Sequence, residues 1–253
     1  MSTENDENYY ESMSIKELRE HLTQSGVDCS AFLEKSELVA AAKRLDLTDY
    51  DEEARKLFAQ LNLQPTRETQ YSNLNAIWRD PTGGGTVYVG NQMAASNRRT
   101  LKERNITAIV NCQGLESKNY FEDDEDDDEE NDKITYFRFP VSYLAHGSRI
   151  GTGMFAKKQG ALKGMTPSFE FIDQQISAGH SVLVHCLAGA HRAGTVGVGY
   201  LMYKTDMGVD DALATAKKCR PIISPFATLL ALLSHLEKDM EQERKRKEKE
   251  IKS

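Results

Sequence analysis

A cysteine and an arginine stand six positions apart in the stretch Val184-His-Cys-Leu-Ala-Gly-Ala-His-Arg-Ala-Gly-Thr195, after an apolar run and before a glycine-bearing segment. A cysteine thiolate is a strong nucleophile, and a guanidinium presents a planar fork that matches two phosphoryl oxygens at once, which lysine cannot do. The two meet on one anion if the residues between them form a turn. Ser181 to Val184 is short, apolar and β-branched, which predicts a buried strand, and Val196 to Tyr203 predicts a helix, so Cys186 to Arg192 is the turn between them. Backbone N–H groups of Leu187, Ala188, Gly189, Ala190 and His191 then converge on an oxyanion, and the following helix N-terminus adds positive potential there. A free thiol titrates at about 8.5, and amide donors, helix terminus and guanidinium all favour its anion. Cys186 is therefore expected as a thiolate nucleophile, with Arg192 holding the oxygens of a bound phosphate.

The block resembles the signature loop of the cysteine-dependent protein tyrosine phosphatases, where His-Cys, five residues and Arg mark the active site. Three flanking segments resemble the dual-specificity branch of that family in the same order: Thr86-Val-Tyr-Val-Gly90-Asn, Ile106-Thr-Ala-Ile-Val-Asn-Cys112 and Arg220-Pro-Ile-Ile-Ser-Pro225. The resemblance covers Ala76 to Asp239. It implies a phosphomonoester hydrolase that dephosphorylates protein tyrosine, serine and threonine through a cysteinyl-phosphate, with no metal and no other cofactor. The alternative is a phosphate-binding pseudophosphatase that reads phosphorylated partners without efficient turnover.

Two positions depart from the family pattern. Ala193 stands where most members carry Ser or Thr, whose hydroxyl helps the sulfur leave; the phosphatases of regenerating liver resemble this chain in having alanine there. Thr195 is a candidate replacement. The second departure is Tyr143 in Phe139-Pro-Val-Ser-Tyr143, where the family pattern has an aspartate as general acid, and no Asp or Glu follows until Glu170. A positioned proton donor is worth about 10²–10⁴ in rate. His146 in the same loop titrates in the useful range and is the expected donor, with Tyr143 and His191 as alternatives.

Composition bounds the remaining classes. The 253 residues carry a formal net charge of -7, hold no run of about 18 apolar residues, and start Met-Ser-Thr-Glu-Asn-Asp without the features of a secretory signal. A soluble cytoplasmic protein is expected, with Arg244-Lys-Arg-Lys247 as the one feature pointing to the nucleus. Cys29, Cys112, Cys186 and Cys219 have neither zinc-site nor disulfide-framework spacing, although Cys112 is a candidate to trap Cys186 as a disulfide.

Along the chain, residues 1–13 read as a disordered tail and 14–63 as a small all-α module. Ser14 and Glu17 have capping-box spacing, Ile15, Leu18 and Leu22 share a face, a second helix starts near Glu34, and Asp51 to Leu61 is a third. The module resembles SAP-like units, but Met1 to Tyr50 has five Lys or Arg against eleven Asp or Glu, so nucleic acid is not the expected partner. A linker over 64–75 leads to an α/β catalytic domain over 76–240. Its short strands Val87–Val89, Ala108–Val110, Tyr136–Phe139 and Val182–Val184 alternate with helices Ala94–Glu103 and Ser168–Ser177, predicting a largely parallel central sheet flanked by helices. Thr166-Pro167 is read as a helix start, and Gly194, Gly197 and Gly199 as points where a helix backbone approaches the sheet. Ser224-Pro225 is read as the start of a last core helix with Phe226, Leu229, Leu230 and Leu233 on one face. An acidic loop over 121–132, acidic at every position from Glu122 to Glu130, is available to a basic protein partner, and 241–253 is expected as a charged helical tail.

Overall fold

The computed structural model describes residues 9–24, 29, 32, 34–42, 56–57, 72–114, 117–122, 133–142, 144–145, 154–226 and 228–251. Its centre is a five-stranded sheet in the order β1, β2, β5, β3, β4. These strands are β1 (Leu74–Arg79), β2 (Thr86–Gly90), β3 (Ile106–Asn111), β4 (Thr135–Arg138) and β5 (Ser181–His185). All neighbours run parallel except β1, which pairs antiparallel with β2. The four expected strands form the parallel part. β1 was not expected, and it begins inside the stretch read as a linker: Leu74-Asn-Ala-Ile-Trp-Arg has no clean alternation, and only the hairpin partner makes it a strand. The Asp80 carboxylate fixes that hairpin by accepting from the Thr82 amide at 3.0 Å.

Side chains alternate across the sheet, so each strand feeds two cores. Val87, Val89, Val182 and Val184 pack against helices Met154–Ser177, Arg192–Thr205, Val209–Cys219 and Thr228–Ile251. Tyr88, Ile109 and Leu183 face the short helices Gln92–Ala95 and Arg98–Glu103 on the other side. The single helix expected over Ala94–Glu103 is thus two, because Asn97 accepts from the Thr100 amide at 3.0 Å and starts a new one.

Three further helices differ from expectation. Thr166-Pro167 is not a start: Pro167 lies inside the helix, and the break is at Gly160, whose φ of 75° leaves the helical region. Asp239 restarts the helix by accepting from the Leu162 amide at 3.1 Å. The last core helix begins at Thr228, and its buried face is Leu229, Leu232, Leu233 and Leu236, whereas Leu230 is 40% exposed. The charged tail continues this helix as far as Ile251, with exposed pairs such as Lys245–Glu241 at 3.8 Å. Helix Val209–Cys219 was missed, despite Asp210 and Asp211 in its first turn and Lys217 and Lys218 in its last.

At the amino-terminal end, helices Tyr9–Ser12, Ile15–Gln24 and 35–42 enclose a separate core of Tyr10, Leu18, Leu22, Cys29, Leu38, Val39 and Ala42, so the stretch read as a disordered tail is helical at Tyr9–Ser12, where Tyr10 is buried. The capping box forms: the Ser14 amide donates to Glu17 Oε2 at 2.8 Å and the Glu17 amide to Ser14 Oγ at 3.2 Å. Ile15 is half exposed rather than on the buried face. Arg19 ties the connection between the helices, donating to Cys29 O at 2.9 Å and Phe32 O at 2.7 Å. Of the helix expected over Asp51–Leu61, residues 56 and 57 are described and are helical.

Candidate active site

β5 is buried at every position and lies between β2 and β3, so its carboxyl end delivers Cys186 to the middle of one sheet edge. His185 there pairs with Gly90 on one side and Asn111 on the other. The chain then turns through Leu187 to His191 and enters the helix that starts at Arg192.

Four of the turn's five carbonyls are claimed by residues remote in sequence, and the fifth by the first turn of the helix that follows. Leu187 O accepts from the Gln92 amide at 3.1 Å, and Ala190 O from the Ser224 amide at 3.0 Å. Ala188 O and Gly189 O accept from Arg220 Nη2 at 3.1 Å and Nε at 2.8 Å, and His191 O from the Thr195 amide at 2.8 Å. A trans peptide points its N–H opposite to its C=O, so carbonyls drawn outward turn the amides from Ala188 to Arg192 inward. The Gly189 amide gives the direction, donating to Cys186 Sγ at 3.3 Å. This is an anion cradle with the sulfur beneath it.

Two residues hold that shape. Gly189 has φ +65°, and a Cβ there would collide with Gly90 O and crowd Arg220 Nη2, so no other residue fits. Arg220, 1% exposed, also donates to Ser72 O at 2.9 Å and Asn75 Oδ1 at 2.8 Å, tying the loop to β1. Its positioning role was not read from the sequence. Behind the loop, Gly197 brings the helix against Val89 and Ile77 of the sheet as expected, whereas Gly194 faces Ile223 and Gly199 faces Met165 and Phe169.

Cys186 is 3% and Arg192 2% exposed, and the Arg192 charge reaches both His185 and Cys112. Burial first, with Arg192 and Arg138 behind it, pushes the His185 imidazole down to about 3, while a backbone hydrogen bond with Cys186 acts the other way. Burial pushes the Cys112 thiol well up, and the neighbouring Cys186 adds to this while Arg192 opposes it. A thiol held protonated is a poor attacker, which weakens Cys112 as a redox trap at neutral pH.

His191 contributes backbone, and its ring is turned away: Nδ1 lies 2.5 Å from Ser224 O, which makes it the donor, and the ring meets Phe226 edge-on at 4.9 Å. Ala193 is fully buried in the main core, to which Cys186 also belongs. Thr195 does not replace its missing hydroxyl, because Oγ1 donates its proton to His191 O at 2.8 Å. Tyr143 and His146 lie outside the described residues, as does the acidic stretch from position 123 onward. Glu122 is described, and accepts from Asn119 Nδ2 at 2.8 Å.

Residues 87–239 match the family model "Dual specificity phosphatase, catalytic domain". The chain is 32% identical over 155 residues to Dual specificity protein phosphatase 1 of Arabidopsis thaliana, covering 61% of this chain and 67% of that one. It is 30% identical over 157 residues to Dual specificity protein phosphatase 9 of Homo sapiens, covering 62% of this chain and 36% of the relative. Among solved structures, a mouse putative dual specificity phosphatase complexed with zinc tungstate aligns with 20% identity and a TM-score of 0.48, over 71% of this chain and 95% of that chain. The strand, the Cys-to-Arg turn and the helix thus meet at the carboxyl edge of the sheet's parallel part, within the matched residues. The chain belongs to the dual specificity phosphatase catalytic-domain family.

Proposed function

We propose that this protein hydrolyses phosphorylated tyrosine, serine and threonine side chains of protein substrates, with Cys186 as nucleophile. The observation that carries this reading is the set of carbonyls tied outward from Leu187 to His191, which leaves inward amides around the Cys186 sulfur. In the first step a Cys186 Sγ–P bond forms as the P–O ester bond breaks, and the departing oxygen takes a proton. The amides from Ala188 to Arg192, with the Arg192 guanidinium, hold the non-bridging oxygens. Water then attacks phosphorus, the S–P bond breaks, and inorganic phosphate and the thiol group are regenerated. Guanidinium and amides supply the positive charge this needs, and no metal enters the scheme.

His146 is our candidate for the proton donor, on its place in the loop after Pro140 and its titration range. Ala193 leaves the sulfur without a hydroxyl partner at that position, which fits slow breakdown of the intermediate. The acidic run Glu122–Glu130 is available to a basic protein partner, and a reducing cytoplasm suits four free cysteines. Among the described residues no helix is long and apolar enough to cross a membrane.

The test is hydrolysis of para-nitrophenyl phosphate, whose leaving group needs no proton, by the wild-type chain and Cys186→Ser. Turnover lost in the variant supports the proposal. Phosphopeptide binding with no turnover above that variant would convert the reading to a phosphate reader.

A further inference from the structure

The segment that ties the loop packs two ways. Arg220 and Ser224 hold the carbonyls of Ala188, Gly189 and Ala190, and Ile222 and Ile223 stand between them in sequence. Ile223 is fully buried in the main core, where it lies against Gly194. Ile222 packs instead with Ala188 and Ala190, in a small apolar cluster completed by Leu187 and Leu57. This cluster therefore lies beside the ties on the outer side of the loop, apart from the main core that holds Cys186.

Leu57 differs from the rest of the cluster in origin. Leu187, Ala188, Ala190 and Ile222 fall within residues 87–239, which match the family model, whereas Leu57 precedes the first strand of the sheet. Ala188 is 1%, Ala190 0% and Arg220 1% exposed, so the ties run where water is excluded. Methyl groups alone cover little area, and the larger side chains of Leu57, Leu187 and Ile222 supply the rest. Exclusion of water matters because a hydrogen bond weakens where water competes for the acceptor. A carbonyl released to water is also free to turn, and it carries the amide of the same peptide away from the anion.

We propose that Leu57 is a positioning residue for the phosphate loop: packed on Ala188 and Ala190 beside Ile222, it keeps water from the Arg220 and Ser224 ties and so keeps the amides from Ala188 to Arg192 aimed at one anion. This rests on the reading of that loop as the site of phosphoryl transfer. Leu57 touches no phosphate. The segment before the sheet nevertheless helps to set how tightly the loop holds one.

The experiment compares the full chain with Leu57→Ala and Leu57→Met in three measurements: kcat/KM on para-nitrophenyl phosphate, the dissociation constant of inorganic phosphate by equilibrium titration, and hydrogen exchange of the loop peptide beside that of β3. The alanine variant should lower kcat/KM and weaken phosphate binding by a similar factor, about fivefold, which corresponds to about 1 kcal/mol. Exchange should quicken in the loop peptide and stay at the wild-type rate in β3. Methionine, which keeps the apolar bulk, should restore all three. Leu57→Val, a milder truncation, should shift them in the same direction by a smaller factor, and it serves as the test if the alanine variant does not fold.

A merely structural role gives a different pattern. Fewer folded molecules would lower kcat and leave the phosphate dissociation constant alone, so a fall in activity with unchanged phosphate affinity overturns the proposal. Quickened exchange in β3 to the same degree as in the loop, or no change in any measurement, overturns it as well. A wild-type chain that hydrolyses no ester, while phosphate affinity and loop exchange respond to Leu57 as expected, would sink the catalytic reading and leave the positioning role standing.

Discussion

Arg192 and Ala193 follow Cys186 so closely that their chemistry can be varied with little change in fold. Lysine at Arg192 keeps the charge and loses the fork, so Arg192→Lys should lower kcat/KM by about 10²–10³, the usual cost of an oxyanion donor, with the melting temperature nearly unchanged. Ala193→Ser supplies the hydroxyl that this position lacks. If breakdown of the cysteinyl-phosphate limits turnover, a hydrogen bond to a charged group is worth enough to raise kcat about tenfold. Burst kinetics give the check: the burst seen in wild type should shrink in the serine variant, and a burst of equal size with equal kcat contradicts the assignment. At this scale the site was legible in the sequence, because Cys186, Arg192 and Gly189 are constrained by chemistry that acts within one turn. Arg220 was not legible. Its role arises from carbonyls of Ala188 and Gly189 and from Ser72 and Asn75, partners remote in sequence that only folding brings together.

Among elements, the loop is the least tolerant part. Gly189→Ala places a methyl group against Gly90 O at a positive φ that non-glycine residues resist by about 1–2 kcal/mol before any collision is counted. Activity should be lost almost entirely while far-ultraviolet circular dichroism stays helical and stranded. Arg220→Met removes donors to four oxygens and should cost roughly 3 kcal/mol or more in urea unfolding, since donors to buried carbonyls have no replacement. A loss below that of a typical surface substitution would contradict its role as the loop's anchor. Strand and helix identity followed from periodicity wherever an element is buried by its own pattern, as in β5 and the helix after Arg192. Boundaries failed where a distant group sets them. Asp239 fixes a helix start at Leu162 that no local signal announces, and Pro167 sits within a helix because the real break is at Gly160. β1 failed for the same reason, being defined by its partner β2.

For the whole molecule, the buried His185 couples stability to pH. Its folded-state value of about 3 against an ordinary 6.5 means that, between those limits, the unfolded chain binds a proton the folded chain refuses. Its contribution is therefore complete above pH 6.5 and shrinks by about 1.4 kcal/mol per unit as pH falls toward 3. Urea unfolding at about pH 7.5 and about pH 5 should differ by about 2 kcal/mol more in wild type than in His185→Asn, which does not titrate. Identical differences in the two proteins would remove His185 from the account. The family's sheet could be read from four apolar runs, but the packing of Leu57 against the loop could not. It depends on how a segment outside the sheet packs back onto it, and apolar residues in that segment look alike until the contact with Ala188 and Ala190 is seen.

The central claim is that the outward-tied loop from Leu187 to His191 holds Cys186 to accept a phosphoryl group. Rapid acid quench of the wild-type chain during turnover, followed by peptide mass analysis, tests it most directly. Phosphate should appear on the peptide carrying Cys186 and on no other, and should be absent from Cys186→Ser. Turnover that proceeds with no phosphorylated Cys186, or that survives in the serine variant, contradicts the account.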